Sequence, residues 1–312
     1  MKSSYITILI VLFSLVSYAQ NYRGTIGKHE IFFQLDTDYN DDSVTAFYFY
    51  KSHLKNILLG GRRVKSELVI YEKYSDLKEK KELFTLQFDN DQLYGTWENM
   101  EVVLKVHLTK TTEDFRKYKL RKIKFLRDSV TVYDNKELVW FTEKYSKKTL
   151  FRLGNGFTSA QHEFVNQKLD TLHASFAEIG LECEWADIDI DVKLVSDDYI
   201  SFYEYSSIYC GGAHPNHNKI GYNYDLKQNV QLEKINEVYP LLDHYTLLKN
   251  KYEKDTDLDI ECEYFLGDGD LWTYYNWVFT KEGISIVPSY PHAMTPCEID
   301  FLLTYKELEK GN

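Results

Sequence analysis

Residues His214-Pro215-Asn216-His217 form the most site-like cluster in the 312-residue sequence. Two imidazoles at this spacing could ligate a metal if a carboxylate joined them, and could then centre a hydrolase acting on cell-wall material. The same residues also suit a rigid turn. Gly211 and Gly212 permit backbone conformations closed to other residues, and Pro215 fixes its own φ. The turn is the favoured reading, with Tyr209, His214, Asn216 and His217 as candidate ligand contacts and with no metal or other cofactor expected. A second set, Trp272, Tyr274, Tyr275 and Trp277, could stack on a sugar or anchor a partner. Alternation assigns half of it to a core, and Trp272 and Tyr275 are candidate contacts. Gly267-Asp268-Gly269-Asp270, with Asp255, Asp257 and Asp259 upstream, suggests calcium, but its spacing fits no EF-hand loop and Gly-Asp pairs are ordinary turn chemistry. The sequence holds no His-Glu-x-x-His helix, Gly-x-Ser-x-Gly elbow, phosphate loop or dinucleotide fingerprint, so a binding role is favoured over an enzymatic one.

The elements around these residues follow from periodicity. Ile188, Ile190, Val192 and Leu194 alternate strictly after Cys183, and Tyr199 to Tyr209 reads as a second strand, with Ser196-Asp197-Asp198 as the turn. Folding this hairpin about Asp197 sets Cys183 opposite Cys210. That pairing leaves Cys262 with Cys297 among the four cysteines. Thr158 to Ile179 has helical periodicity, with Phe164, Val165, Leu169, Leu172, Phe176 and Ile179 on one face. Thr158 with Gln161 fits a capping box, and Gly180 fits a C-terminal stop. A second helix is expected from Tyr239 to Tyr252. A hairpin is expected from Asn276 to Val287 about Lys281-Glu282-Gly283, then a strand at 298–304 and a helical turn at 305–309.

The first half reads differently. From Tyr22 to Thr109 short strands and turns succeed one another, as in a meander, sandwich or barrel, with no helical period. The charge run Lys73 to Glu82 reads as a solvated hairpin tip. Leu120 to Val132 is basic and β-prone, and Lys144 to Lys148 is polar, which places a domain join near Tyr145. The expected organisation is a leader over 1–19, a β-rich domain over 20–145, and an α+β domain over 146–312 with helices packed on an antiparallel sheet.

Lys2, the apolar run Ile6 to Val16 and Ser17-Tyr18-Ala19 have the form of a secretory leader cleaved before Gln20. The run is shorter than the roughly 20 apolar residues that span a bilayer, and no later stretch reaches that length. No cysteine near the cleavage point suggests a lipid anchor. An oxidising compartment then favours disulfides over metal ligation by the cysteines. The net charge of −11 repels phosphate backbones and argues against nucleic acid and anionic lipid as partners.

Several segments of the second half, in order, resemble a known family. They are Tyr209-Cys210-Gly211-Gly212-Ala213-His214-Pro215-Asn216, Gly221-Tyr222-Asn223-Tyr224-Asp225-Leu226, Val230 to Ile235, Trp277 to Ile284 and Tyr290-Pro291-His292-Ala293. The family is a domain of unknown function in bacterial exported proteins. It includes the extracytoplasmic part of a lysozyme-sensing anti-sigma factor and the accessory domain of certain peptidoglycan deacetylases. The resemblance covers about Phe151 to Glu309. Tyr22 to Gly27, Phe47 to Tyr50, Leu59-Gly60-Gly61 and Leu93 to Trp97 are similar to a less defined exported β-domain that implies no activity. The cytoplasmic segment and membrane span of the anti-sigma members, and the metal-binding catalytic domain of the deacetylases, are not expected from these residues. What the resemblance implies is a soluble module, periplasmic or secreted, that binds a lysozyme-like protein or a cell-wall glycan.

Overall fold

The computed structural model describes residues 19–37, 42–72, 82–252, 272–288 and 299–311. The chain divides into two compact units between Phe115 and Arg116. The first contains eight strands: β1 (Gln20–Ile26), β2 (His29–Thr37), β3 (Ser43–Tyr50), β4 (Ile57–Val64), β5 (Glu67–Glu72), β6 (Leu83–Asp89), β7 (Gln92–Glu98) and β8 (Val103–Lys110). Each pairs antiparallel with the next, and β8 returns to β1 from Tyr22↔Lys110 to Ile26↔Val106, which closes a barrel. Alternate residues fill its interior, among them Ile31, Phe33 and Leu35 from β2 and Val44, Ala46 and Tyr48 from β3. Phe32 points the other way, and Phe115 packs on it with ring centroids 4.7 Å apart.

The second unit begins with a short helix, α1 (Phe115–Leu120), that straddles the division. A three-stranded sheet follows: β9 (Phe125–Tyr133), β10 (Lys136–Glu143) and β11 (Thr149–Leu153), in the order β11-β10-β9. Tyr145, the expected join, therefore lies inside the second unit, in the β10–β11 turn. The polar stretch that reads as a linker is a turn wrapped on one buried carboxylate. Glu143 Oε2 accepts from the backbone of Tyr145 (2.8 Å) and Ser146 (2.6 Å) and from the Ser146 hydroxyl (2.8 Å).

The long helix α2 (Ser159–Glu182) starts as expected, with Thr158 and Gln161 forming a reciprocal capping box. It runs past Gly180, which is helical and does not end it. A Cβ there would lie 2.8 Å from the Ser146 Cβ, so Gly180 lets the helix approach the β10–β11 turn. Val165, Leu169 and Phe176 of α2 share a core with Leu138, Leu150 and Phe151 of the small sheet and with Ile200, Phe202 and Tyr224 beyond it.

Those last residues belong to a sheet of β12 (Trp185–Val195), β13 (Tyr199–Tyr209), β14 (Asn216–Asp225) and β15 (Val230–Leu232), in chain order. The β12–β13 hairpin turns at Ser196-Asp197-Asp198, and Cys183 is bonded to Cys210 at its open end. Cys262 and Cys297 lie outside the described residues, as do the aspartates of 255–270, Tyr290 to Ala293, residues 73–81 of the charge run and residues 1–18 of the leader. One departure from strict alternation occurs in β12. A bulge between Val192 and Leu194 sends Leu194 into the core on the opposite side of the sheet from Ile188, Ile190 and Val192.

That second core is closed by a third sheet of β16 (Tyr275–Phe279), β17 (Gly283–Pro288) and β18 (Phe301–Thr304) and by two helices, α3 (His244–Tyr252) and α4 (Tyr305–Gly311). Helix α3 begins five residues later than Tyr239. Pro240 follows a 3-10 turn at Ile235–Glu237, and Asp243 then caps the helix by accepting from Thr246 N (3.0 Å) and Thr246 Oγ1 (2.7 Å).

Candidate functional site

Alternation along β12, β13 and β14 gives their sheet two faces. One carries Ile188, Val192, Phe202 and Tyr224 into the core beneath α2. The other carries Asp187, Asp189 and Asp191 from β12, Tyr203, Tyr205, Ser207 and Tyr209 from β13, and His217, Lys219, Gly221 and Asn223 from β14. The third sheet covers the lower part of this second face. Tyr203 Oη donates to the Ser285 carbonyl at 3.1 Å, and Asn223 Nδ2 donates to the Trp277 carbonyl at 2.8 Å. The upper part stays open. It holds a concavity of about 330 Å³ lined by Asp187, Asp189, Tyr205, Ser206, Ser207, His217, Asn218 and Lys219.

This open face has a defined chemistry. At its edge Trp185 is 37% exposed and lies 6.2 Å from the Tyr209 ring, at an interplanar angle of 31°. Next come the exposed carboxylates of Asp187 and Asp189. At the floor, the Lys219 ammonium pairs with Asp300 and sits over the rings of Tyr203 (4.5 Å) and Tyr205 (5.0 Å). Burial, with the charges of Asp300 and Asp191, pushes the Tyr205 hydroxyl up to about 12, so it stays a neutral donor at physiological pH. Aromatic edges beside carboxylates and hydroxyls suit the hydroxyls and flat faces of a sugar, or the basic and apolar side chains of a protein.

The expected contact residues are split by this geometry. Tyr209 and His217 stand on the open face. Asn216 is exposed but, one residue before His217 on the strand, faces the other way. His214 is exposed in the loop, its Nδ1 donating to the Pro215 carbonyl at 3.1 Å. Gly211 (φ 98°) and Gly212 (φ 114°) do have the left-handed backbone that the turn requires, and Tyr209 Oη donates to the Gly212 carbonyl at 2.9 Å. Trp272 is buried away from the open face. It is 3% exposed and packs on Phe301 in the core beneath the third sheet, with ring centroids 5.5 Å apart. Tyr275 is half-buried in the same core. Its hydroxyl accepts from Ile235 N at 3.4 Å, and its ring lies 4.5 Å from His244.

Trp185, Asp187, Asp189, Tyr205, Ser207 and Lys219 were not singled out from the sequence. The signal was available in the β12–β13 hairpin, because the residues that alternate with Ile188 and Ile190 must share the opposite face. Across the strands Asp187, Ser207 and His217 form one row, with Ser207 in the middle. Nucleophilic catalysis by such groups requires the imidazole between hydroxyl and carboxylate, and the row has a different order. Among the described residues, no three His, Cys, Asp or Glu side chains converge as metal ligands would.

No family model matches the chain, and no curated protein matches it. Among solved structures, it is similar to a DUF3298 family protein from Pseudomonas aeruginosa PAO1, at 11% identity over 60% of this chain and 92% of that one, with a TM-score of 0.34.

Proposed function

We propose that this protein is an extracytoplasmic binding module that recognises a lysozyme-like protein or a cell-wall glycan through the open face of the β12–β15 sheet. The observation that carries the reading is the exposed Trp185 beside the half-buried Tyr209, next to Asp187 and Asp189, at the end of a hairpin cross-linked by Cys183–Cys210. A disulfide suits an oxidising compartment, in keeping with the secretory form of residues 1–19. Among the described residues no helix is long and apolar enough to cross a membrane.

The test is binding of the full chain to lysozyme and to purified peptidoglycan fragments, measured by calorimetry. Trp185→Ala and the double change Asp187→Asn with Asp189→Asn should each weaken binding at least tenfold without lowering the melting temperature. Salt should weaken lysozyme binding strongly and glycan binding little. Unchanged affinity in both variants would remove the open face as the binding surface.

A further inference from the structure

A second concavity, of about 640 Å³, opens in the second unit between the β9–β10–β11 sheet and the first turns of α2, and it shares no lining residue with the open face. Its volume lies in the range of small-molecule sites. Val139, Phe141 and Arg152 form its floor. Arg152 is the cross-strand partner of Val139, and Arg127 is the partner of Phe141. His162, Asn166 and Asp170 form one wall, four residues apart along a single stripe of α2. Gly154, Asn155, Gly156 and Phe157 make the rim.

Charge inside this groove is arranged unevenly. Arg152 is 8% exposed, a rare position for a guanidinium. Its Nε donates to Asp170 at 2.6 Å, one terminal nitrogen donates to the Phe151 carbonyl at 2.7 Å, and the other lies 3.4 Å from His173 Nδ1. A guanidinium carries donors beyond these, so both terminal nitrogens keep an N–H to offer. Glu137 is occupied by Asn155, which donates from Nδ2 at 2.8 Å and from its backbone at 3.3 Å. Asp170 is thus ion-paired with Arg152, whereas Glu137 is hydrogen-bonded by the neutral Asn155 and keeps its charge. Arg127 is exposed at the mouth and makes no ion pair among the described residues. Arg127 and Arg152 balance Glu137 and Asp170 in formal charge, and the guanidinium that no carboxylate pairs is that of Arg127.

We infer that this groove binds a small hydroxylated carboxylate, an acidic sugar, with its carboxylate between Arg127 and Arg152. Guanidiniums are suited to this task because their planar fork matches a carboxylate. Asp170 holds Arg152 in place before any ligand arrives, so little side-chain entropy is lost on binding. Asn155 and His162 line the groove with groups that can hydrogen-bond ring hydroxyls, and Phe141 supplies an apolar surface for the ring.

The test uses pairs of sugars that differ in the carboxylate: N-acetylmuramic acid against N-acetylglucosamine, and glucuronic acid against glucose. Each is titrated into the full chain by calorimetry. The acids should bind at least tenfold more tightly than their neutral counterparts. Binding of both acids, or of N-acetylmuramic acid alone, supports the site, and the second result points to a cell-wall source. Arg127→Ala should weaken the acids about tenfold with an unchanged melt, since the residue is exposed. Val139→Trp should abolish binding by filling the groove. Trp185→Ala, on the open face, should leave it intact, which separates this site from the proposed function. Equal affinity for acid and neutral sugar, no acid binding at millimolar concentration, or an Arg127→Ala protein that binds like the parent would each overturn the inference.

Discussion

Gly221 and Trp277 meet backbone to backbone: a Cβ at position 221 would lie 2.2 Å from the Trp277 carbonyl oxygen. This is where the third sheet crosses the β12–β15 sheet, and it marks the lower boundary of the open face. Gly221→Ala would force the two sheets apart, because a main-chain carbonyl cannot rotate away as a side chain can. The expected cost is about 2–3 kcal/mol, from overpacking. Denaturant melts check this, and a fall of less than half a kilocalorie would show that the crossing is looser than described.

Asn223 secures the same crossing by hydrogen bonds. Its Nδ2 donates to the Trp277 carbonyl at 2.8 Å, and its Oδ1 accepts from Phe279 N at 3.2 Å and from the Ser201 hydroxyl at 2.6 Å. The side chain is fully buried. Asn223→Ala strands a carbonyl, an amide and a hydroxyl away from water, so stability should drop by about 2–4 kcal/mol. Asn223→Asp should fare no better above neutral pH, since its carboxylate would face the Trp277 carbonyl. Amide exchange at Phe279 provides a local reading, and its protection should fall in both variants.

The glycine turn gives a prediction that separates conformation from contact. Nothing lies within 4 Å of a Cβ built at Gly212, so Gly212→Val meets no steric block. Its φ of 114° still strains any side chain, at about 1–2 kcal/mol. Gly212→Val should therefore melt earlier, while His214→Ala, at an exposed position, should melt like the parent. A large loss in His214→Ala would instead mean that the imidazole holds the loop.

His173 makes stability depend on acid. It is fully buried on α2, its Nε2 donates to the Lys148 carbonyl at 2.9 Å, and its ring stacks on Phe125 at 4.2 Å. Burial pulls its pKa from 6.5 down to about 4. The Arg152 charge pulls the same way, while the Lys148 carbonyl, Glu143 and Asp170 oppose. The unfolded chain takes up this proton below about 6.5 and the folded chain only near 4, so the folded state loses ground as pH falls across that window. The loss is about 3 kcal/mol at most. Urea midpoints from pH 7.5 to 4 should slope less in His173→Gln than in the parent, and identical slopes would reject the assignment.

Local grammar made some of this architecture readable. The Thr158–Gln161 capping box and the β12–β13 hairpin are short-range patterns whose chemistry lies in adjacent residues, and the Cys183–Cys210 bond follows from the hairpin register. Other features depend on distant partners. Alternation cannot foresee the bulge at Lys193, because the pull on Leu194 comes from the core around Trp277. Trp272 looks like a contact residue in a run of aromatics and is buried because β18 and α3 bring Phe301 and Tyr245 to it. The groove with Arg127, Arg152 and Asp170 left no motif, since its residues come from three strands, a loop and a helix with no fixed spacing. The polar segment at Tyr145 resembles a linker until Glu143 is seen to gather its backbone.

The closure of β8 onto β1 bears on how the chain is made and moved. Strand β1 emerges first and has one edge unpaired until β8 follows, with six other strands made in between. Until β8 is made, that edge of β1 has no strand of the barrel to pair with. Closure of the barrel therefore waits on β8, and an unpaired β1 edge is open to strand exchange until then. Because the first and last strands are neighbours, a barrel rearranged to join Lys110 to Gln20 and opened at the Asn90-Asp91 turn would keep every strand pairing and lose only that covalent turn.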